Sequence, residues 1–169
     1  MRPIPIGEAI AAQRPEWIVF IVTRRGDGFV DVMPAGWVMR ASGSPAMFAV
    51  SVGHLRYTNE LVRHAGEFVL AFPAAGQEEV VAICGSHSGR DLDKVERCGL
   101  RLLSGQAVKA PLLADAFLNF ECRLVTSVET GDHTVFVGEV LAAYRGTASG
   151  PLVNFGDGVY DLAKRKRGS

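Results

Sequence analysis

The chain has 169 residues, with 18 basic and 18 acidic side chains, so its formal net charge is zero; 48% of the residues are apolar and 21% charged. This neutral balance excludes a nucleic-acid protein held by bulk charge, and the apolar share excludes a disordered chain. The length fits one domain over residues 1–169, large enough to bury its own core.

Residues 1–10 (MRPIPIGEAI) contain two prolines and Gly7 and lack the apolar core of a signal peptide. The longest apolar run, 17–22, is far short of the roughly 20 residues that span a bilayer as a helix. The expected compartment is the cytoplasm, with no membrane partner. Residues 17–23 (WIVFIVT) read as a buried strand, 24–28 (RRGDG) as a turn, and 29–33 as the returning strand. Pro34-Ala35-Gly36 is expected to break that strand, with 37–41 resuming it. Pro45 opens a third strand over 47–52.

The period then changes. Leu55, Leu61, Val62 and Ala65 fit one helical stripe, stopped by Gly66. Residues 67–72 return to strand. Residues 77–84 and 91–98 read as short helices, each followed by a glycine, with Asp93 as a local cap for the second. Residues 119–128 place Phe120, Cys122, Leu124 and Val128 on one face, with Glu121 and Arg123 opposite. They pair with 133–142 across Thr130-Gly131-Asp132, and 151–155 pairs with 159–162. The basic run 164–167 reads as a solvated terminus. Strands dominate, with two or three short helices, and 19 glycines and 8 prolines supply the turns. The expected class is mainly β: a closed or partly closed antiparallel, Greek-key-like barrel, the arrangement that removes sheet edges.

Common catalytic motifs are absent, and the four histidines show no i, i+4 pairing, so no metal site is expected. The three cysteines, Cys84, Cys98 and Cys122, read as reduced core thiols. Small, hydroxyl and cationic residues follow the strands: Ser51, Val52 and Gly53, then Arg56 and Thr58, then Ser86, Ser88, Gly89, Arg90 and Lys94. Such groups at a helix start suit a phosphate, which needs several N–H donors and a cation.

Taken in order, M-P-A-G-W at 33–37, S-P at 44–45, S-V-G at 51–53, R-Y-T at 56–58, S-G-R-D-L-D-K at 88–94 and G-D-H-T at 131–134 resemble the flavin reductase family. The likeness is to its flavoredoxin-like branch and runs over about 14–162. The resemblance implies an FMN-binding split β-barrel, homodimeric, holding FMN without a covalent bond. It implies NADH or NADPH as electron donor and a flavin, oxygenase or redox protein as acceptor. Pro34, Ala35, Gly36 and Trp37 correspond to the segment along the flavin ring. Ser51, Val52 and Gly53 correspond to the turn near the ribityl chain and phosphate. Arg56 and Thr58 match phosphate positions, and Ser88, Arg90 and Lys94 match the loop closing over the phosphate. His133 corresponds to the histidine near flavin and nicotinamide, the catalytic candidate. Two alternatives stay open: a non-enzymatic flavin electron carrier reduced by a partner protein, and a split barrel binding pyridoxal phosphate or heme. Two departures stand out. Asp31 occupies a position where relatives carry Asn, which puts a flavin contact there in doubt, and Val95 stands where relatives carry Phe.

Overall fold

The computed structural model describes residues 1–162. In chain order the elements are α1 (Ile6–Ala11), β1 (Glu16–Trp17), β2 (Val19–Arg24), β3 (Val30–Ala35), β4 (Val38–Gly43), β5 (Ala46–Gly53), α2 (Tyr57–Ala65), β6 (Glu67–Phe72), α3 (Glu78–Ser86), α4 (Lys94–Arg97), β7 (Leu102–Leu103), β8 (Leu112–Leu113), β9 (Leu118–Thr130), β10 (His133–Arg145), β11 (Leu152–Gly156) and β12 (Val159–Leu162). Seven strands form one antiparallel sheet in the order β3-β2-β6-β9-β10-β5-β4; β1, β11 and β12 form a second, and β7 and β8 a third. The protein is thus mainly β and antiparallel, with four short helices among the described residues, one more than the sequence reading allows. The basic run 164–167 lies outside the described residues.

β2 is buried on both faces, and so residues 18–22 are continuously apolar instead of alternating with polar residues. Val19 and Ile21 join Met33, Val50, Val52, Phe68, Leu70 and Phe136 in one core cluster. Phe20 and Val22 point the other way, into a cluster with Val32, Val69, Val81, Cys84 and Leu113. The sheet also curls. β3 and β5 stand five strands apart, about 24 Å across a flat sheet at ~4.8 Å per strand, yet Met33 and Val52 share the first cluster.

Several expectations are corrected. The run 17–23 divides: Trp17 pairs with Val153 in the second sheet, and only from Val19 does the chain enter the first. Pro34 does not break its strand, since β3 runs through it to Ala35. β3 is an edge strand with one neighbour, where a missing N–H need not cost a ladder bond. Leu55 is not on a buried stripe; α2 begins only at Tyr57, and Leu55 is 95% exposed. The helix read over 91–98 shortens to α4, with the Asp93 carboxylate accepting from the Glu96 amide (3.0 Å) as expected of a cap. Register shifts in the β9–β10 hairpin leave Val128 exposed. Glu121, assigned to the face opposite the core side chains, is completely buried. Its carboxylate accepts from the amides of Gln106, Ala107 and Val108 (2.9–3.1 Å) and from the Tyr144 hydroxyl (2.6 Å), and so pins the segment that covers this part of the sheet. α1, which the sequence reading did not expect, presents no buried residue: its Ile6, Ala9 and Ile10 fall on one face but that face is exposed.

Candidate functional site

The C-terminal end of β3, the C-terminal end of β5 and the first turn of α2 converge on two adjoining cavities that share Met33 and Arg56. α2 is fixed there by Asn59, whose amide donates to the Val52 carbonyl (2.9 Å) and to the Thr134 hydroxyl (3.1 Å). Gly66, left-handed at φ 66°, ends the helix as the sequence suggests. The amides of Tyr57 and Thr58 have no acceptor among the described residues and stand at the helix's positive end.

The first cavity, about 160 Å³, is bordered by Pro34, Ala35 and Trp37 on one side and by Ser51, Val52 and Gly53 on the other. Trp37 is 54% exposed, and its ring lies 4.6 Å from that of His133, the planes inclined by 32°. His133 comes from the start of β10, in register with Gly53. Its Nδ1 stands 2.6 Å from the Asp132 carboxylate. A carboxylate can only accept, so Nδ1 donates and Nε2 is left toward the cavity side of Gly53. The same contact holds the Asp132 carboxyl below its ordinary range.

The second cavity, about 70 Å³, is bordered by Arg56, Thr58, Ser88, Gly89 and Lys94. Arg56 is exposed and has neither ion-pair partner nor side-chain hydrogen bond among the described residues. Lys94 is committed: its ammonium lies 2.7 Å from Asp31 Oδ1, with the two side chains 2% and 0% exposed. The Thr58 hydroxyl donates to the other Asp31 oxygen (2.6 Å). Gly89 is required here, because a Cβ on it would overlap the Asp31 carboxylate.

Eleven of the thirteen candidate residues therefore border these two cavities, and two do not. Gly36 faces Glu16 and a neighbouring groove. Arg90 pairs with Glu60 (2.7 Å) and lies over the Tyr57 ring (4.5 Å). The sequence reading placed Asp31 near the ligand but missed its hold on Lys94. An acidic residue inside an otherwise apolar strand facing a basic one 63 positions on was the available signal. It also passed over Met33 and Gly85, which complete the first cavity. A larger cleft, about 560 Å³, lies by the 24–28 turn and holds none of the candidates. The arrangement suits a planar aromatic ligand that carries an anionic group: an exposed indole beside an imidazole, backbone at a strand end, then an unpaired guanidinium and free amides.

The chain belongs to the flavin reductase like domain family, which it matches over residues 14–163. It is 42% identical over 132 residues to an uncharacterised protein of Archaeoglobus fulgidus, covering 78% of this chain and 71% of that one. To the NADH-dependent FMN reductase of Streptomyces nodosus subsp. asukaensis it is 32% identical over 141 residues, 80% and 73% of the two chains. Its structure superposes on that of flavoredoxin from Methanosarcina acetivorans with a TM-score of 0.85 at 28% identity, covering 100% of this chain and 95% of the other. It spans about half, 49%, of a relative from Aeropyrum pernix. Among the described residues no helix is long and apolar enough to cross a membrane.

Proposed function

We propose that the chain binds FMN without a covalent bond and transfers hydride from NADH or NADPH to flavin. The observation that carries this reading is the meeting of the Trp37–His133 pair with the unpaired Arg56 at one continuous site, in a chain of this family. In this reading Pro34, Ala35 and Trp37 border the ring, and Ser51, Val52 and Gly53 the ribityl chain. Arg56, the first-turn amides of α2 and the Thr58–Ser88 wall meet the phosphate. Arg90 and Gly36, carried over from the resemblance, are left outside. Bound flavin supplies hydride acceptance and one- or two-electron release, so the protein needs no strong acid or nucleophile of its own. Trp37 positions an aromatic face and excludes water from it. Asp132 fixes His133 in the tautomer with Nδ1 protonated, so Nε2 presents a lone pair as a hydrogen-bond acceptor at the edge of the site.

The curl that brings β3 and β5 to one cavity supports a split barrel. The groove of about 500 Å³ lined by Trp17, Val38, Met39, Phe48 and Phe72 supports a homodimer that buries it; sedimentation giving only an 18.1 kDa species at micromolar concentration would refute the dimer.

The visible spectrum of the purified protein, followed by rapid mixing with NADH and with NADPH, tests the function. A flavin spectrum bleached directly by either nucleotide is the expected result. A flavin spectrum bleached only through an added redox protein would favour an electron carrier, a reading that the likeness to flavoredoxin supports. A pyridoxal phosphate or heme spectrum would overturn both.

A further inference from the structure

We infer that Asp31 is a specificity-determining residue of the flavin site: by holding the Lys94 ammonium within the protein, it weakens the grip on the ligand's phosphate, so that flavin is held mainly by its ring and exchanges readily. This rests on the flavin reading above and decides how that site treats its ligand.

The pair is built into the fold. Lys94 opens α4, and Asp31 lies in β3, joined at 2.7 Å and both inaccessible to solvent. Thr58 completes the carboxylate's contacts from α2, and Gly89 closes over it with no room for a side chain. The pair forms one wall of the cavity assigned to the phosphate end. The local charges follow. Asp31 and Lys94 cancel. Arg90 and Glu60 cancel, outside the cavity. Among the described residues bordering the two cavities, that leaves Arg56 as the one cation free to meet a phosphate monoester of about −1.5 to −2 charges. Recruiting Lys94 would break the pair and strand a buried, uncompensated carboxylate, which is strongly unfavourable. The phosphate therefore gains little from Lys94, and the flavin's affinity depends mainly on contacts that riboflavin makes equally well, with Arg56 adding a modest preference for FMN. That is the behaviour of a protein that takes up and releases flavin as a substrate.

The test is a fluorescence titration of the parent, Asp31→Asn, and the double variant Asp31→Asn/Lys94→Met with FMN and with riboflavin. The parent is expected to prefer FMN by less than about 10-fold, the lower end for one charge-assisted contact. Asp31→Asn keeps an oxygen for Thr58 and frees the Lys94 charge; the preference for FMN should rise by about 10- to 150-fold with riboflavin affinity unchanged. The double variant should return to the parental preference. A folded Asp31→Asn with an unmoved preference overturns the inference. So does a double variant that loses FMN preference while still binding riboflavin, for Lys94 would then touch the phosphate directly. If Asp31→Asn fails to fold, the double variant and the parental ratio decide by the same criteria. Parental binding of neither flavin would overturn the flavin reading itself, and this inference with it; binding of both with ratios against expectation overturns this inference alone.

Discussion

The indole of Trp37 and the imidazole of His133 lie 4.6 Å apart, although 96 residues separate them in the chain. The antiparallel register of β5 and β10 makes the contact, since it sets His133 opposite Gly53, on the far side of the cavity from the end of β3. Trp37 is more than half exposed, so it contributes little to the core and is available to a ligand ring. Trp37→Ala should weaken FMN and riboflavin alike by about 2- to 12-fold, the range for an aromatic pair worth ~0.5–1.5 kcal/mol. The melting temperature without flavin should barely move. Paired flavin titrations and a thermal melt check both halves; a loss confined to FMN would place Trp37 away from the ring.

Arg56 and Arg90 offer a contrast in one helix neighbourhood. Arg56→Ala removes an unpaired guanidinium at the junction of the two cavities. It should weaken FMN by about 5- to 10-fold, removing most of the parental preference, and leave riboflavin unchanged. Arg90→Ala breaks an exposed pair with Glu60, worth no more than ~1 kcal/mol, and should change FMN affinity less than about fivefold. Isothermal titration of both variants tests the ranking, which an Arg90 effect equal to that of Arg56 would reverse.

Glu121 ties folding to acid. Burial alone would raise its carboxyl, but the Tyr144 hydroxyl and the amides of Val108, Ala107 and Gln106 together hold it below the ordinary value of 4.5. A lowered native value means stability is present above pH 4.5 and is lost as pH falls through the native value. Glu121→Gln should cost about 1–3 kcal/mol at pH 7, lowering Tm by about 2–4 °C per kcal/mol in a chain of this size. The variant should also lose part of the parent's decline in stability below pH 4.5. Denaturant melts at pH 7 and pH 4 are the measurement; parallel pH profiles would show that the carboxylate is not the group responsible.

The thiols separate by burial. Cys84 is pushed up to about 12 by burial and then by neighbouring Cys98, and Cys122 to about 12 by burial. Neither forms appreciable thiolate at pH 8, while Cys98 is half-buried. Native protein should give at most one fast-reacting thiol with an aromatic disulfide reagent, and three after unfolding. Two fast thiols in the native protein would show that α3 or β9 opens to expose Cys84 or Cys122.

The sequence by itself determined the elements whose signals are local. The strand within the 17–23 run, though not its division at Trp17, the glycine stop after α2, the Asp93 cap and the Asp-His turn between β9 and β10 were readable, because each depends on residues within a turn or a strand of one another. The order of short motifs pointed to the family, and eleven of the thirteen residues named with it, from Pro34 to His133, border the two cavities proposed to hold flavin. Charge partners and close approaches were decided only by the tertiary structure. Nothing near Glu121 in the chain announces three amides from 106–108, and the sequence does not say that Lys94 turns inward to Asp31 while Arg90 turns outward to Glu60. Burying an ionised group is favourable only where donors converge from several elements, and that convergence is set by how β3, α2 and α4 meet in space. The same side chains in another arrangement would have left three cations unpaired; here, among Arg56, Arg90 and Lys94, the fold leaves only Arg56 without an ion-pair partner among the described residues.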